Sequence, residues 1–487
     1  MTPAPHAGLS RRDLLYRALI LCSATLPSIR LGAQSISPVM AALSAYMAAA
    51  KDRSLPPEVV EKAKHHILDT LAAMISGSEL PPGRAALVLA KAQAGRPVAT
   101  VAGSMIVTGP IDAALVNGVL AHSDETDDSH GASQSHPGAS IVPSALALGE
   151  ELGASGEHYL RAVTLGYDVG CRLTMALGGA TFRDESRRST HAFAGNFGSA
   201  AAAACIAGLT AQQMRWVLDY ASQQAAGYAI WGRDTDHIEK GFVFGGMPAR
   251  NGVTAALLVR SGWNGVDDVF FGEDNFFQVN APAGTPATLI ERLGERFEIV
   301  NTDIKKWTVG TPIQAPLDAI DTMRRKRSFD ADEVTSVAVR LAPTVGVVVD
   351  NRDIPDICLQ HMVAVMLIDK TASFHAAHDK PRMKNADVLR QRAKVTYVPD
   401  ASLAALLPAR VAVVEVTLKD GTRLSERVEA VRGTVRNPMP RAEVVDKARD
   451  LIAPVLGATT AQKLIDAVLR IETVKDVRTL RPLLQKA

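Results

Sequence analysis

The polar segment 121–140, which lies between two apolar runs, holds the residues best suited to chemistry. It reads AHSDETDDSHGASQSHPGAS. Its side chains include three histidines and four carboxylates: His122, His130, His136, Asp124, Glu125, Asp127 and Asp128. Imidazole titrates near neutral pH, and a carboxylate beside it can fix its tautomer or act as the base itself. Glycine and proline near the end favour a loop, so the segment indicates an acid–base loop on a helical frame. A solvated turn that only ends a helix is the open alternative.

Metal binding is the other chemistry that this segment offers. A calcium loop counted from Asp124 needs glycine at its sixth position and glutamate at its twelfth, where the chain has Ser129 and Ser135. Zinc could be held by His122 and Glu125 if the preceding helix ran that far, but no defined zinc spacing is present. We therefore expect no metal in this segment.

The segment 237–253, HIEKGFVFGGMPARNGV, predicts an anion-binding corner. Lys240 precedes Gly245 and Gly246, and a proline follows where a helix could begin. Free backbone N–H groups at such a helix start, together with Lys240 and Arg250, would bind an anion. A tight glycine turn between two helices, with an exposed lysine, explains the pattern equally well.

His191, in the run STHAFAGNFGSAAAA, precedes an alanine-rich apolar segment. It is a candidate acid–base residue, although a lone histidine at such a place is commonly a cap or a core residue. Nucleotide-binding and serine-hydrolase motifs are absent from the sequence.

The elements that must position these residues are mainly helical. The chain has 487 residues, 47% of them apolar and many of them alanine, a composition that favours closely packed helices. Helical spacing of apolar residues gives way to alternating β-branched segments near residue 300 and returns near residue 440. We predict a mainly α fold, with an all-helical domain over 36–300 and 440–487 and a smaller α+β lid domain over 301–439.

The segment 1–33 has the pattern of a twin-arginine signal peptide. Arg11 and Arg12 precede a moderately apolar segment, and Leu31-Gly32-Ala33 offers a small-residue cleavage site. The pattern predicts export to the periplasm in folded form, with an ordinary amphipathic first helix as the alternative. The apolar segment is too short to span a bilayer comfortably, so we expect no membrane association apart from export. A net charge of +2 without a basic run among aromatics argues against a nucleic-acid partner.

Six blocks of the chain, in order, resemble the MmgE/PrpD family, which includes 2-methylcitrate dehydratase, cis-aconitate decarboxylase and iminodisuccinate epimerase. The blocks are AHSDETDDSH…SHPGASIVPSALALGE, HAFAGNFGSAAAA, EKGFVFGGMPARNG, IKKWTVGTPIQAPLDAI, VDNRDIPDICLQHMVAVMLID and VRNPMPRAEVVDKARDL. The resemblance implies a homodimer without metal or cofactor, built from a large helical domain and a smaller lid. It also implies proton abstraction beside a carboxylate of a small polycarboxylate substrate.

The resemblance further implies roles for single residues. Matching the blocks position by position yields six candidates for catalysis or substrate binding: Glu125, Ser129, His136, Lys240, Lys305 and Arg352. His136 or Glu125 would be the base, and the cationic side chains would hold carboxylates and stabilise the developing enediolate.

The chain departs from the family pattern at several positions. The second histidine of the family aligns with Ser189, two residues before His191, and the tyrosine expected in the decarboxylase branch aligns with Val349. Trp307 and Thr308 replace the usual aromatic and proline after the second lysine. These departures leave the reaction open within the family.

We predict a lyase, either a dehydratase or a decarboxylase, acting on a small polycarboxylate. An epimerase that uses the same proton abstraction is a second reading, with His136 and His191 on opposite sides of the substrate. An exported carboxylate-binding protein without catalysis is the third.

Overall fold

Helices make up 60% of the protein, which confirms the predicted mainly α fold class. The computed structural model describes residues 36–407 and 409–486, so the predicted signal peptide lies outside the described residues. In chain order the helices used below are α1 Pro38–Ala49, α2 Pro57–Gly77, α3 Pro81–Ala92, α4 Pro110–Ala121, α5 Gly138–Leu152, α6 Gly156–Leu177, α7 Ala180–Ser186, α8 Thr190–Ile206, α9 Ala211–Gln223, α10 Ile238–Arg260, α11 Phe276–Asn280, α12 Thr311–Lys326, α13 Pro343–Gly346, α14 Leu359–Asp369, α15 Phe374–His378, α16 Ala386–Arg392, α17 Arg441–Leu456, α18 Ala458–Leu469 and α19 Arg481–Leu484.

The strands of the described chain form two small sheets. Their bounds are β1 Ala99–Thr100, β2 Val107–Thr108, β3 Val334–Leu341, β4 Val395–Pro399, β5 Ala412–Leu418 and β6 Arg423–Val428. The first two strands form an antiparallel hairpin, and the other four form a sheet in the order β4-β3-β5-β6. Within that sheet β3 and β4 are parallel and the other pairs are antiparallel. The turn between β5 and β6 uses Gly421, whose φ of +83° is one that glycine adopts readily.

The helical part of the core is packed closely through small residues. A Cβ added to Gly170 on α6 would lie 2.3 Å from the Ala194 carbonyl oxygen on α8. Because backbone contact this close leaves no room for a Cβ, position 170 requires glycine. The side chain of Ser189 accepts a hydrogen bond from Ala192 N–H and so caps the start of α8, which fixes the position of His191 in its first turn.

Buried apolar residues fall into two main clusters. The larger one contains the helices before residue 300 together with α17 and α18, and α17 packs against α2. The smaller one contains α12, α14 and the four-stranded sheet. This division supports the predicted return of the C-terminal helices to the helical body. The exact domain bounds stay a prediction.

The segment 237–253 does not turn at its glycines, and this corrects the predicted anion-binding corner. Helix α10 is continuous and contains a π-helical stretch, Phe242–Gly246. A Cβ on Gly245 would lie 1.9 Å from the Gly118 carbonyl oxygen of α4, so the glycines serve close helix packing. By length and composition α10 could cross a membrane, but 67% of its apolar window is buried inside the protein, as in a core helix.

Candidate active site

The acid–base segment connects α4 to α5 and is buried, so it is not a solvated turn. His122 ends α4, and its N–H donates to the Gly118 carbonyl. At the other end Asp128 accepts hydrogen bonds from Gly138 N–H at 3.0 Å and from the Tyr167 hydroxyl at 2.5 Å. His66 Nδ1 lies 2.8 Å from the same carboxylate. These contacts fix the segment from the core side.

Asp127 joins two histidines. Its Oδ2 lies 2.9 Å from His122 Nδ1, and its Oδ1 lies 3.1 Å from His136 Nδ1. Burial raises the pKa of the Asp127 carboxyl, but His122 and His136 outweigh burial and hold that pKa well below its ordinary value. Burial lowers the pKa of His122, which therefore stays neutral at neutral pH and donates Nδ1–H to the carboxylate.

This arrangement leaves the Nε2 atoms of the two rings as the reactive positions. The Nε2 atom of His122 is buried and has no hydrogen-bond partner among the described residues. The His136 side chain is 11% exposed, and a neutral ring that donates from Nδ1 presents an unprotonated Nε2. His136 is thus an oriented base with access to solvent, and Asp127 sets its tautomer.

Glu125 is held between two lysines that come from distant parts of the chain. Lys240 pairs with Glu125 Oε1, while Lys305 Nζ lies 3.5 Å from Oε2 and donates to the Glu125 carbonyl at 2.8 Å. Lys305 Nζ also lies 3.7 Å from Asp127 Oδ1, which links the lysine pair to the histidine pair. Although burial alone would raise the pKa of Glu125, the two ammonium groups lower it well below its ordinary value. The positive charges of Lys240 and Lys305 balance the negative charges of Glu125 and Asp127.

His191 lies beside the pair formed by His136 and Asp127, whereas Ser189 only caps a helix. The His191 and His136 ring centroids are 5.1 Å apart, and His191 stacks on Phe244 at 3.7 Å. Trp231 meets both His191 and Phe244 edge-on. Burial lowers the pKa of His191 well below its ordinary value, so this ring is neutral. The candidate histidine of the sequence therefore reaches the site.

A cleft of about 840 Å³ opens beside Glu125 and Lys240. Its walls come from the helical part of the chain and from the part with the sheet, and they are largely apolar on the sheet side. The lining residues include Trp231, Arg183, Arg410, Val345, Val349 and Ile357. Its charged lining, three cations and one carboxylate, has a net charge of +2, which suits a polyanion.

The structure does not bring all of the predicted binding residues to this cleft. Ser129 lines a neighbouring cavity of about 350 Å³, together with Lys305. Gly245 and Gly246 are buried against α4, as described above. Arg250 donates to its chain neighbour Asn251, also on α10.

Arg352 lies on an exposed loop that follows the apolar wall. It is absent from the lining of the cleft as the described residues define it. A match between short blocks locates a position in the chain, but it does not fix where the loop around it points.

Two groups of side chains in the described chain have ligand atoms within 4.8 Å of one another, close enough for a metal ion: His122 with Asp127 and His136, and His122 with Glu125 and His237. Helix α4 ends before Glu125, so the helical spacing considered for zinc does not arise. The carboxylates in both groups already face Lys305 or Lys240, whose positive charge opposes a cation. Metal independence stays a prediction.

Sequence reasoning missed His237 and Phe244 of this cluster, and it named His122 and Asp127 without assigning Asp127 a role. Asp127 and His122 stand in the segment that was singled out, but nothing local separates Asp127 from Asp128. His237 has a φ of +63°, and its ring centroid lies 5.1 Å from that of His122. Phe244 lies in the glycine-rich segment, where nothing in the sequence pattern singled it out. The contacts of Asp127 with His122 and His136 are local, whereas His237 and Phe244 reach the cluster from a distant segment.

Comparison with family models and curated proteins agrees with this architecture. The MmgE/PrpD N-terminal domain matches residues 41–288, and the MmgE/PrpD C-terminal domain matches residues 307–473. The chain is similar to cis-aconitate decarboxylase of Aspergillus terreus, with 24% identity over 464 residues, covering 88% of this chain and 92% of the relative.

Two further relatives have comparable similarity. Human cis-aconitate decarboxylase is 27% identical over 460 residues, covering 88% of this chain and 91% of the relative. The cis-aconitate decarboxylase-like protein oryM of Aspergillus oryzae is 25% identical over 477 residues, covering 92% of this chain and 97% of the relative. Because the two family models together cover most of the chain, in the order N-terminal then C-terminal domain, the chain belongs to the MmgE/PrpD family.

Proposed function

We propose that this protein is a lyase that acts on a small polycarboxylate by proton transfer at a carbon next to a carboxylate. The observation that carries the proposal is the His136 base, which Asp127 orients and which Asp127 and Lys305 link to Glu125, where Glu125 and Lys240 line a cationic cleft. The names of the similar proteins, cis-aconitate decarboxylases, make cis-aconitate the first substrate to test.

The charges of the cluster suit such a step. Removing a proton next to a carboxylate places negative charge on that group, and the ammonium groups of Lys240 and Lys305 can stabilise it. In a dehydration the base takes the carbon-bound proton, the C–O bond breaks, and hydroxide leaves as water after protonation. In a decarboxylation the C–C bond to the carboxylate breaks and CO₂ leaves. A proton is then delivered to the carbon that lost the carboxylate.

Three observations bear on the alternatives. The 5.1 Å spacing of the His136 and His191 rings places them side by side, which favours action on one face of the substrate and disfavours an epimerase that uses them from opposite faces. The complete proton-transfer arrangement of Asp127, His136 and Lys305 argues against a binding protein without catalysis. Val349, where the decarboxylase branch has tyrosine, forms part of the apolar wall and offers no hydroxyl.

The proposal is tested by incubating the protein without residues 1–33 with a panel of polycarboxylates in D₂O, beginning with cis-aconitate, and following the products by NMR. Release of CO₂ with one deuteron in the product identifies a decarboxylase, and loss of water identifies a dehydratase. Deuterium exchange with inversion and no other change identifies an epimerase. Binding without any turnover across the panel contradicts the lyase proposal.

We further propose export by the twin-arginine route and a homodimer. Both rest on the sequence pattern and the family resemblance. Cell fractionation of the wild type and an Arg11→Lys, Arg12→Lys variant tests export, because loss of the arginine pair should retain the protein in the cytoplasm. Sedimentation measurements on the mature chain test the dimer.

A further inference from the structure

Two arginines line the cleft separately from the Glu125 cluster. Arg183, on α7, and Arg410, before β5, both face the cleft of about 840 Å³. The Glu125 carboxylate pairs with Lys240 and Lys305, and neither arginine contributes to that pairing. The cleft therefore has a second cationic region in addition to the one used by the proposed chemistry.

Arg410 has an uncompensated charge within the described chain. It is half-buried, and no carboxylate lies within ion-pair distance of its guanidinium among residues 36–407 and 409–486. Burial, followed by the positive charge of Arg183, lowers the pKa of Arg410. Arg183 pairs with Asp184, since its Nη2 lies 2.9 Å from Asp184 Oδ1, so the charge that lacks a partner is that of Arg410. An anion that binds beside the two guanidinium groups would compensate that charge in a partly desolvated cleft.

Arg183 is held in place by its neighbour Asp184, which accepts a hydrogen bond of 2.9 Å from its Nε, and by the acid–base segment. Its Nη1 donates to the Gln134 side-chain oxygen, and the Gln134 carbonyl accepts a hydrogen bond of 2.7 Å from the Thr190 hydroxyl at the start of α8. Gln134 has a φ of +51°, an unfavourable region for a residue other than glycine. A strained residue thus ties Arg183 to the loop that carries His136 and to the helix that carries His191.

We infer that Arg183 and Arg410 bind a second carboxylate of the substrate while a first one lies near Lys240. Guanidinium groups bind carboxylates in a bidentate manner, which fixes orientation as well as charge. The apolar wall formed by Val345, Val349 and Ile357 would cover the carbon chain between the two carboxylates. Within the polycarboxylates of the proposed function, this arrangement favours those whose carboxylates lie on different carbons of an aliphatic chain. This inference rests on the proposed function for its first carboxylate site.

Calorimetric titration with tricarballylate, a saturated tricarboxylate that cannot undergo the lyase reaction, tests the inference. The variants are Arg410→Gln, Arg410→Lys, Arg183→Gln and, as a matched control, Arg423→Gln on the exposed face of β6. We expect Arg410→Gln and Arg183→Gln each to raise the Kd for tricarballylate at least about tenfold, with partial recovery in Arg410→Lys. The control should match the wild type. Butyrate, which has one carboxylate, should bind all four variants within about twofold of the wild type.

The outcomes separate this inference from the proposed function. Arginine-dependent tricarballylate binding in a protein that turns over no polycarboxylate supports the second site and contradicts the lyase proposal. Turnover of a polycarboxylate with wild-type KM and wild-type tricarballylate affinity in both glutamine variants overturns the second site and leaves the lyase proposal intact. Failure of the wild type to bind tricarballylate also overturns it.

Discussion

Asp127 and Asp128 are neighbours in the sequence, yet their side chains lie in different environments. Asp127 faces two histidines and Lys305, and one of those histidines, His136, is partly exposed. Asp128 faces the interior and accepts hydrogen bonds from Tyr167 and from the first turn of α5. The first carboxylate is thus placed to set the protonation of an accessible base. The second is placed to hold the loop, and its partners are buried away from solvent.

The difference shows that buried charge alone does not identify a catalytic carboxylate. Both aspartates are completely buried, and each has a histidine within 2.9 Å. What separates them is whether the chain of contacts ends at a group that substrate can reach. His136 retains 11% exposure, whereas the side chain of His66 retains none.

The largest expected effect comes from replacing the two aspartates in turn. Both Asp127→Asn and Asp128→Asn should lower the free energy of unfolding by about 2–3 kcal/mol, because an amide cannot satisfy all the donors around it. Asp127→Asn should also reduce kcat about 10²–10⁴-fold, since His136 loses its oriented tautomer. Asp128→Asn should keep kcat within about tenfold. Chemical denaturation and steady-state kinetics on the folded fraction measure both quantities, and equal losses of kcat in the two variants would contradict the distinction.

A second contrast of the same kind concerns two lysines. Lys240 pairs with Glu125 beside the cleft, whereas Lys447 lies 2.6 Å from Asp69 and donates to the Thr126 carbonyl in the core. Lys240→Ala should raise KM for an anionic substrate about tenfold or more through the loss of a charge-assisted contact.

Lys447→Ala should instead lower the free energy of unfolding by about 3–5 kcal/mol, because it leaves Asp69 buried without its partner. KM should be unchanged in the protein that remains folded. Thermal unfolding followed by kinetics at a permissive temperature separates the two. An unchanged KM in Lys240→Ala would remove that lysine from the substrate site.

A smaller effect should come from Asp124, the third aspartate of the segment, which faces α15. His378 Nε2 lies 2.9 Å from Asp124 Oδ2, and although burial opposes it, this contact and the charges of Asp124 and Asp356 raise the pKa of His378 to about 9. The folded state then binds the proton more tightly than the unfolded state. The stabilisation is complete below pH 6.5 and is lost as pH rises toward 9.

Between pH 7 and pH 8 the free energy of unfolding should fall by about 1 kcal/mol from this group. His378→Gln should remove that slope, while His375→Gln, an exposed histidine on the same helix, should keep it. Asp356, whose pKa burial raises to about 6, titrates below this window. Urea titrations at the two pH values make the comparison, and identical slopes in the wild type and His378→Gln would refute it.

No effect is expected from chelation. Because Lys240 and Lys305 occupy the carboxylates that a metal would need, activity after exhaustive dialysis against EDTA should equal that of the untreated protein. Elemental analysis should find no stoichiometric zinc, iron or calcium. A metal retained at one per chain and required for turnover would contradict the prediction and would point to one of the two groups that share His122.

Sequence patterns predicted the helical fold and the chemical character of the loop, because helical periodicity and clustered titratable residues are local properties. The patterns also singled out Glu125, His136 and Lys240, whereas Lys305 came only from the resemblance to the family; the structure brings these residues together from distant segments. The patterns failed at Gly245 and Gly246, because glycines needed for close helix packing look the same in sequence as glycines that expose N–H groups. They could not distinguish Asp127 from Asp128, since that depends on which way a buried loop faces.

Arg410 gave no local signal at all. It stands in an ordinary connection before a strand, and only the packing of the sheet against the helical part of the chain makes it line the cleft. Residues of this kind, which are distant in sequence and lie in segments of ordinary composition, cannot be identified as site residues from one sequence.

The most direct test of the central claim follows deuterium into product for the wild type and His136→Gln. In D₂O, with the polycarboxylate that the panel identifies, the wild type should place one deuteron at the reacting carbon in each turnover. His136→Gln should do so at least about 10²-fold more slowly while its Kd for tricarballylate stays within about threefold. Deuterium incorporation by His136→Gln at the wild-type rate would contradict the assignment of His136, oriented by Asp127, as the proton-transfer residue.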